Sequence, residues 1–211
     1  MSRCRKFGLM ILILIIPYVA AETQIPEFYI PGENYSSSQP QILPDVPSHL
    51  KGGVVSPEEG SVTWEFSVTQ NGLYNIEIGY VNIPGRGTSI ERTILINGKL
   101  PYRELSYVRF PRLWENIFQF GMFDENGNSI RPSYREVEEF RSVFIRDSAG
   151  YFTEPLGVYL ETGKHTITLL SEREPMFIQY IRFIAAPSPP VYYEYISTHL
   201  TNGLTPARHS R

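Results

Sequence analysis

The stretch Val62-Thr63-Trp64-Glu65-Phe66-Ser67-Val68-Thr69-Gln70-Asn71-Gly72-Leu73-Tyr74-Asn75-Ile76-Glu77-Ile78-Gly79-Tyr80 decides the fold class. Val62, Trp64, Phe66 and Val68 alternate with Thr63, Glu65 and Ser67, and Tyr74, Ile76, Ile78 and Tyr80 alternate with Asn75, Glu77 and Gly79. A period of two places one set of side chains on each face of an extended strand, so both runs predict strands with one apolar face. Asn71-Gly72 between them is a turn pair, and the two runs together predict a hairpin.

The same rhythm recurs outward from this stretch. Phe28-Tyr29-Ile30 predicts a first strand inside a segment, residues 22–60, that is otherwise rich in Pro, Ser and Gly. Ile90–Ile96 predicts a third strand running into Asn97-Gly98, the dipeptide that best tolerates the positive φ angles of a tight turn. His165–Ser171, preceded by the turn pair Gly163-Lys164, and Met176–Ala185 predict two more. The expected fold is therefore all-β, an antiparallel β-sandwich of the jelly-roll kind. Residues 101–160 are too long for a simple connection, and segments of that length carry function or structure of their own. Ser133-x-x-Glu136 has the form of a capping box and predicts a short helix with Val137, Phe140 and Phe144 near one face; Ser142–Ile145 as strand is the competing reading.

Residues 1–21 have the pattern of a secretory signal, with Arg3, Arg5 and Lys6 ahead of an apolar run and Val19 and Ala21 at the small-residue cleavage positions. The run of about 15 apolar residues is short of the roughly 20 that a spanning helix needs. Cleavage after Ala21 removes the only cysteine, Cys4, and leaves 190 of the 211 residues. It also takes the formal charge from −3 to −6, because Arg3, Arg5 and Lys6 leave and no acidic residue does. A mildly acidic chain with scattered basic residues is a poor partner for nucleic acid. Without cysteine, stability has to come from burial, and a chain of this length holds one sizeable core. Three divisions are expected: a leader at 1–21, a sandwich at 22–187 with its insert at 101–160, and a Pro- and Tyr-rich linker or tail at 188–211.

Several motifs together resemble a known group. Ile30-Pro31-Gly32-Glu33-Asn34-Tyr35-Ser36-Ser37, Trp64-x-Phe66-x-Val68, Asn71-Gly72-x-Tyr74, Asn97-Gly98 and Phe177-Ile178-Gln179-Tyr180-Ile181-Arg182-Phe183 follow the order of galactose-binding-like β-sandwiches. The chain resembles carbohydrate-binding modules of families 6 and 35. It also resembles the amino-terminal domain of large extracellular solute-binding proteins of Gram-positive bacterial ABC transporters, on Ile90–Gly98, Asn128–Pro132 and Tyr159–Leu169. The resemblance implies an extracellular or cell-surface protein whose partner is a carbohydrate, with ABC transporter components as a further partner. It also implies a structural calcium ion held by two acidic residues of the first strand and an aspartate of the last. Pro31 and Gln179 stand at two of those places, leaving Glu33 as the single weak metal candidate, so no cofactor is expected.

Sugar rings offer an apolar C–H face and a rim of hydroxyls, so a site for them needs an aromatic platform and planar polar groups. The candidate ligand-binding residues are Tyr80, Asn82 and Arg86 at a strand end and the loop after it, Arg92, Arg112, Trp114, Tyr134 and Tyr151, and Arg173 and Glu174 before Pro175. Arg92 and Arg173-Glu174 have a competing reading as structural ion pairs, with Glu174, Asp147 or Glu136 as partners. Trp114 has one as a core residue, and Trp64, in an alternating strand, is assigned to the core. Asp124-Glu125-Asn126-Gly127-Asn128 has oxygen groups at alternate places, but Ser129 and Arg135 stand where a calcium loop needs Gly and Glu, which makes it a polar turn.

No metalloprotease, nucleophile-elbow, phosphate-loop or dinucleotide pattern occurs, and the expectation is a non-catalytic protein. Two alternatives belong to other classes. One is a structural or protein-interaction module that packs its aromatic insert on a partner. The other is a glycoside hydrolase or lyase using Glu136, Asp147 or Glu174, which would have to converge in one cleft with a raised carboxyl pKa. Asn34-Tyr35-Ser36 is an N-glycosylation sequon, relevant only in a host with that machinery.

Overall fold

The computed structural model describes residues 27–186 apart from 118–120, 122 and 132. The predicted leader and the predicted Pro- and Tyr-rich tail lie outside the described residues. Thirteen strands occur among those described: β1 Phe28–Pro31, β2 Ser37–Gln39, β3 Val54–Ser56, β4 Gly60–Val68, β5 Gly72–Asn82, β6 Ile90–Ile96, β7 Val108–Phe110, β8 Leu113–Asn116, β9 Tyr134–Val137, β10 Phe140–Phe144, β11 Gly157–Leu160, β12 Gly163–Arg173 and β13 Met176–Ala185. One sheet runs β1-β13-β5-β10, with β11 also on β5 and β3 also on β13; the other runs β2-β4-β12-β6-β7. All pairings are antiparallel, and the architecture is the expected β-sandwich.

The core is built by the alternation read from the sequence. Val62, Trp64, Phe66 and Val68 from one sheet and Tyr74, Ile76, Ile78 and Tyr80 from the other are all buried in one cluster. Phe28, Phe66 and Phe183 stack at one end of it, with centroids 4.7 to 5.4 Å apart. The Trp64 indole donates to Gly32 O at 2.9 Å, so its one polar atom is satisfied inside the core.

Two expectations are corrected. The runs Val62–Val68 and Tyr74–Tyr80 do not form a hairpin: β4 pairs with β2 and β12, while β5 pairs with β10, β11 and β13. Asn71-Gly72 carries the chain from one sheet to the other, so the two apolar faces meet across the core. The last two strands do the same, because β12 and β13 lie in opposite sheets. Asn97 and Gly98 have φ of 53° and 70°, and the Ile96–Lys99 bridge closes the tight turn they predict.

The second correction concerns residues 101–160. The helix expected from Ser133-x-x-Glu136 is absent, because Tyr134–Val137 and Phe140–Phe144 are strands; β-branched and aromatic residues paired with a partner strand outweigh the capping pattern. The one helical element described is a single 3-10 turn, Arg103–Ser106. The segment is also less of an insert than its length implies, since β7 joins one sheet and β10 and β11 join the other. What stands outside both sheets is the two-stranded ribbon of β8 and β9.

Candidate functional site

Leu113–Asn116 and Tyr134–Val137 pair so that Trp114 faces Glu136 and Asn116 faces Tyr134. Directly opposed residues share a face, so Trp114, Glu136, Asn116 and Tyr134 line one side of the ribbon, with Cβ atoms of opposed pairs about 4.5–5.5 Å apart. Leu113, Val137, Glu115 and Arg135 take the other side, where Arg135 Nε donates to Glu115 at 2.8 Å. Trp114 keeps 46% of its surface exposed and Tyr134 61%. The benzo edge of Trp114 approaches Gly87, in the loop after β5.

Arg112, one residue before the ribbon, fixes it to the sandwich. Its side chain is 3% exposed and every guanidinium nitrogen is engaged. Nε donates to Thr88 O at 2.8 Å, Nη1 to Ile83 O at 3.2 Å and to Glu136 Oε1, and Nη2 to Glu174 Oε2 at 2.8 Å. Planar guanidinium geometry suits this role, because several donors are held in one plane at fixed angles. Asn82 Nδ2 joins from below, donating to Glu136 Oε1 at 2.7 Å and to Val137 O at 3.0 Å.

Glu174 sits at the turn between β12 and β13 with φ of +62° and no exposed surface. Its carboxylate accepts from Arg86 N, Thr88 N, Thr88 Oγ1 and Arg112. Burial pushes its pKa up, but the Thr88 and Arg86 donors and the Arg112 charge outweigh burial and hold it below the ordinary value. Its main-chain carbonyl accepts from Arg92 Nη2 at 2.9 Å. Gly85 is part of this arrangement, since a Cβ there would overlap the Glu174 carboxylate.

The ten predicted residues therefore separate into three groups. Arg112, Trp114 and Tyr134 come together on and beside the ribbon, with Asn82 and Glu174 beneath and Arg86 on the facing loop. Arg86 is exposed but its guanidinium meets Glu58 at 2.7 Å. Tyr80 and Arg92 are corrected to interior residues. Tyr80 is fully buried, its hydroxyl donating to Pro111 O at 2.7 Å, and burial pushes its pKa up to about 12. Arg92 is fully buried between the sheets. It makes neither the ligand contact nor the carboxylate pair expected of it, because its donors go to Ser56 Oγ at 3.1 Å and to the carbonyls of Glu91 at 2.7 Å, Arg173 at 2.9 Å and Glu174. Burial pulls its pKa down to about 9, opposed by the charge of Glu172. Asn82 and Glu174 are likewise buried, and present no surface to a ligand.

Tyr151 and Arg173 stand apart from the ribbon. Tyr151 is exposed in a turn organised by Asp147, which accepts from the amides of Ala149, Tyr151 and Phe152. Arg173 lies 3.8 Å from Glu91, which also takes the Tyr107 hydroxyl at 2.6 Å. Glu136 and Glu174 share Arg112, whereas Asp147 bonds within its own turn. The Ala149 amide, helped by those of Tyr151 and Phe152, holds Asp147 below the ordinary carboxylate range against opposing desolvation. Asp147 and Glu174 thus shift in the direction opposite to that required of a general acid.

Glu33 is exposed, and at the Pro31–Gln179 junction the backbone closes on itself, with Gly32 N donating to Gln179 O at 2.7 Å. One exposed carboxylate does not meet the six or more oxygens calcium requires, so the residues present do not fit the ion the resemblance implies. No group of three or more His, Cys, Asp or Glu side chains that could hold a metal occurs among the described residues. Asp124 accepts from the amides of Asn126 and Asn128, which makes its segment the polar turn expected.

A second aromatic surface had no sequence signal. Tyr29, Tyr180 and Phe140 line the outer face of the β1-β13-β5-β10 sheet, with centroids 5.0 and 6.0 Å from Tyr180. Tyr180 lies over Gly79, and Arg182 and Glu77 pair beside it at 2.7 Å. These residues come from three strands far apart in sequence, so no local pattern joins them. No helix among the described residues is long and apolar enough to cross a membrane.

No protein-family model matches the chain, and no curated protein does. Among solved structures, the GH26-CBM35 β-(1,4)-mannanase of Podospora anserina is similar over 79% of this chain and 29% of its own, at 16% identity and a TM-score of 0.46. A cycloisomaltooligosaccharide glucanotransferase of Paenibacillus sp. is similar over 73% of this chain and 18% of its own, at 14% identity and a TM-score of 0.43. The CBM35 of Cellvibrio japonicus Abf62 is similar over 77% of this chain and 95% of its own, at 13% identity and a TM-score of 0.44. The chain thus spans under a third of the first two proteins. No residue's role is carried over from any of the three.

Proposed function

We propose that this chain is a non-catalytic carbohydrate-binding protein whose site is the Trp114 face of the β8–β9 ribbon. The observation that carries the reading is the combination of an indole 46% exposed with a polar support that is almost completely buried. An exposed ring gains from contact with the C–H face of a sugar, and a ring whose strand is held by Arg112 loses little freedom when it binds. Tyr134 on the same face adds a second ring. Affinity at a single open platform is modest, because well-bound water must be displaced.

The reading includes an exported setting and the domain division given above. Support comes from the leader pattern of residues 1–21 and from the resemblance carried by the motifs. An accessory role in a sugar-uptake system rests on that resemblance alone.

Affinity electrophoresis of the purified protein in gels containing a panel of polysaccharides tests the reading. Retardation on at least one polymer, lost in Trp114→Ala with the melting temperature preserved, is expected. Retardation on none, or retardation indifferent to Trp114→Ala, removes this site. The interaction-module reading is favoured by one observation, the Tyr29–Tyr180–Phe140 strip; in that case Tyr180→Ala weakens association with the partner protein and polysaccharide has no effect.

A further inference from the structure

We infer that the Trp114 face selects uncharged, hydroxyl-donating glycans and rejects those whose sugars carry carboxylates. The inference rests on the carbohydrate-binding reading and names the ligand class of that same site.

Few polar atoms at this face remain without a partner. Glu136 faces Trp114 across the ribbon, and its side chain is 19% exposed. Arg112 Nη1 and Asn82 Nδ2 both go to Oε1, and among the described residues no donor meets Oε2.

Three arginines at the ribbon are already paired. Arg112 has all three nitrogens engaged and its side chain is 3% exposed, Arg86 meets Glu58, and Arg135 meets Glu115 on the opposite face of the ribbon. A sugar hydroxyl brings the proton that the outer oxygen of Glu136 lacks, while its C–H face covers the indole. A uronate brings a like charge to that carboxylate, which is a repulsive element of the sort that generates specificity.

The test is affinity electrophoresis of the purified protein at one ionic strength against galactomannan, glucomannan, pullulan and dextran as neutral polymers and polygalacturonate as the charged one. Wild type is expected to be retarded by at least one neutral polymer and not by polygalacturonate. Glu136→Gln is expected to lose about tenfold in affinity for the neutral polymer, the scale of a hydrogen bond to a charged group. It is also expected to gain retardation on polygalacturonate, whereas a purely structural role for Glu136 lowers the neutral-polymer affinity with no such gain. Retardation of wild type by polygalacturonate that disappears in Trp114→Ala overturns the inference and leaves the carbohydrate-binding reading standing. Glu136→Gln with no gain on polygalacturonate also overturns it. Retardation by no polymer overturns the inference and the reading together.

Discussion

Arg112 Nη2 lies 2.8 Å from Glu174 Oε2, joining the residue just before the ribbon to the turn between the last two strands, 62 residues away in sequence. Both side chains are almost inaccessible to water, at 3% and 0%. Arg92 reaches the same turn from inside the sandwich through the Glu174 carbonyl, so one residue is held by two arginines, one on its side chain and one on its main chain.

Removing Arg112 leaves the Glu174 carboxylate buried without a counter-charge, which costs about 3–5 kcal/mol, whereas removing the Glu174 charge leaves Arg112 paired with Glu136. Arg112→Ala is expected to lower the urea unfolding free energy by an amount in that range and Glu174→Gln by less. The double variant is expected to lose clearly less than the sum. Strict additivity would show that the two side chains do not share an interaction.

Acid sensitivity follows from the same carboxylate. The folded Glu174 pKa is depressed, so its contribution is fully present above the ordinary carboxylate value and is lost as pH falls through the lower folded value. Thermal unfolding is expected to be flat from pH 7 to about 5 and to drop below about pH 4, near the unfolded carboxylate pKa. In Glu174→Gln the drop should be shallower. An equal or steeper drop in the variant would assign the acid dependence to other groups.

The two tryptophans differ in access, with Trp64 at 0% and Trp114 at 46% exposure. Acrylamide is expected to quench one fraction of the intrinsic fluorescence readily and to spare the other. Trp114→Phe should abolish the accessible fraction. A saturating glycan should protect it in the wild type, and equal quenching of both rings would contradict the arrangement.

Gly79 provides the space in which the Tyr180 ring lies, and a Cβ there would overlap that ring. Gly79→Ala is expected to cost about 1–3 kcal/mol through overpacking. In a Tyr180→Ala background the same change should be close to neutral. A cost unchanged by Tyr180→Ala would mean that the ring is not what the methyl group meets.

Legibility varied with how local the information was. The alternation at Val62–Val68, the Asn97-Gly98 turn and the interior place of Trp64 were readable because each is a property of a few consecutive residues. Trp114 and Arg112 were readable as candidates because an aromatic ring among arginines is conspicuous in a segment without a regular pattern. Tyr80 was misplaced for a related reason: the same tyrosine serves equally well as a platform or as a core residue whose hydroxyl finds a carbonyl, here that of Pro111.

By itself the sequence determined that the chain is all-β and which residues of its alternating runs, such as Val62, Trp64, Phe66 and Val68, form an apolar face. Only the tertiary structure decided that Val62–Val68 and Tyr74–Tyr80 face each other across the core instead of pairing. It also decided that Arg112 meets Glu174 and Glu136, and that Glu136 stands opposite Trp114. The reason is physical. A two-residue period states which face is withdrawn from water, but apolar burial has no direction and does not name what covers that face. Hydrogen bonds and ion pairs do have direction, and their partners are set only once the strands have chosen their sheets.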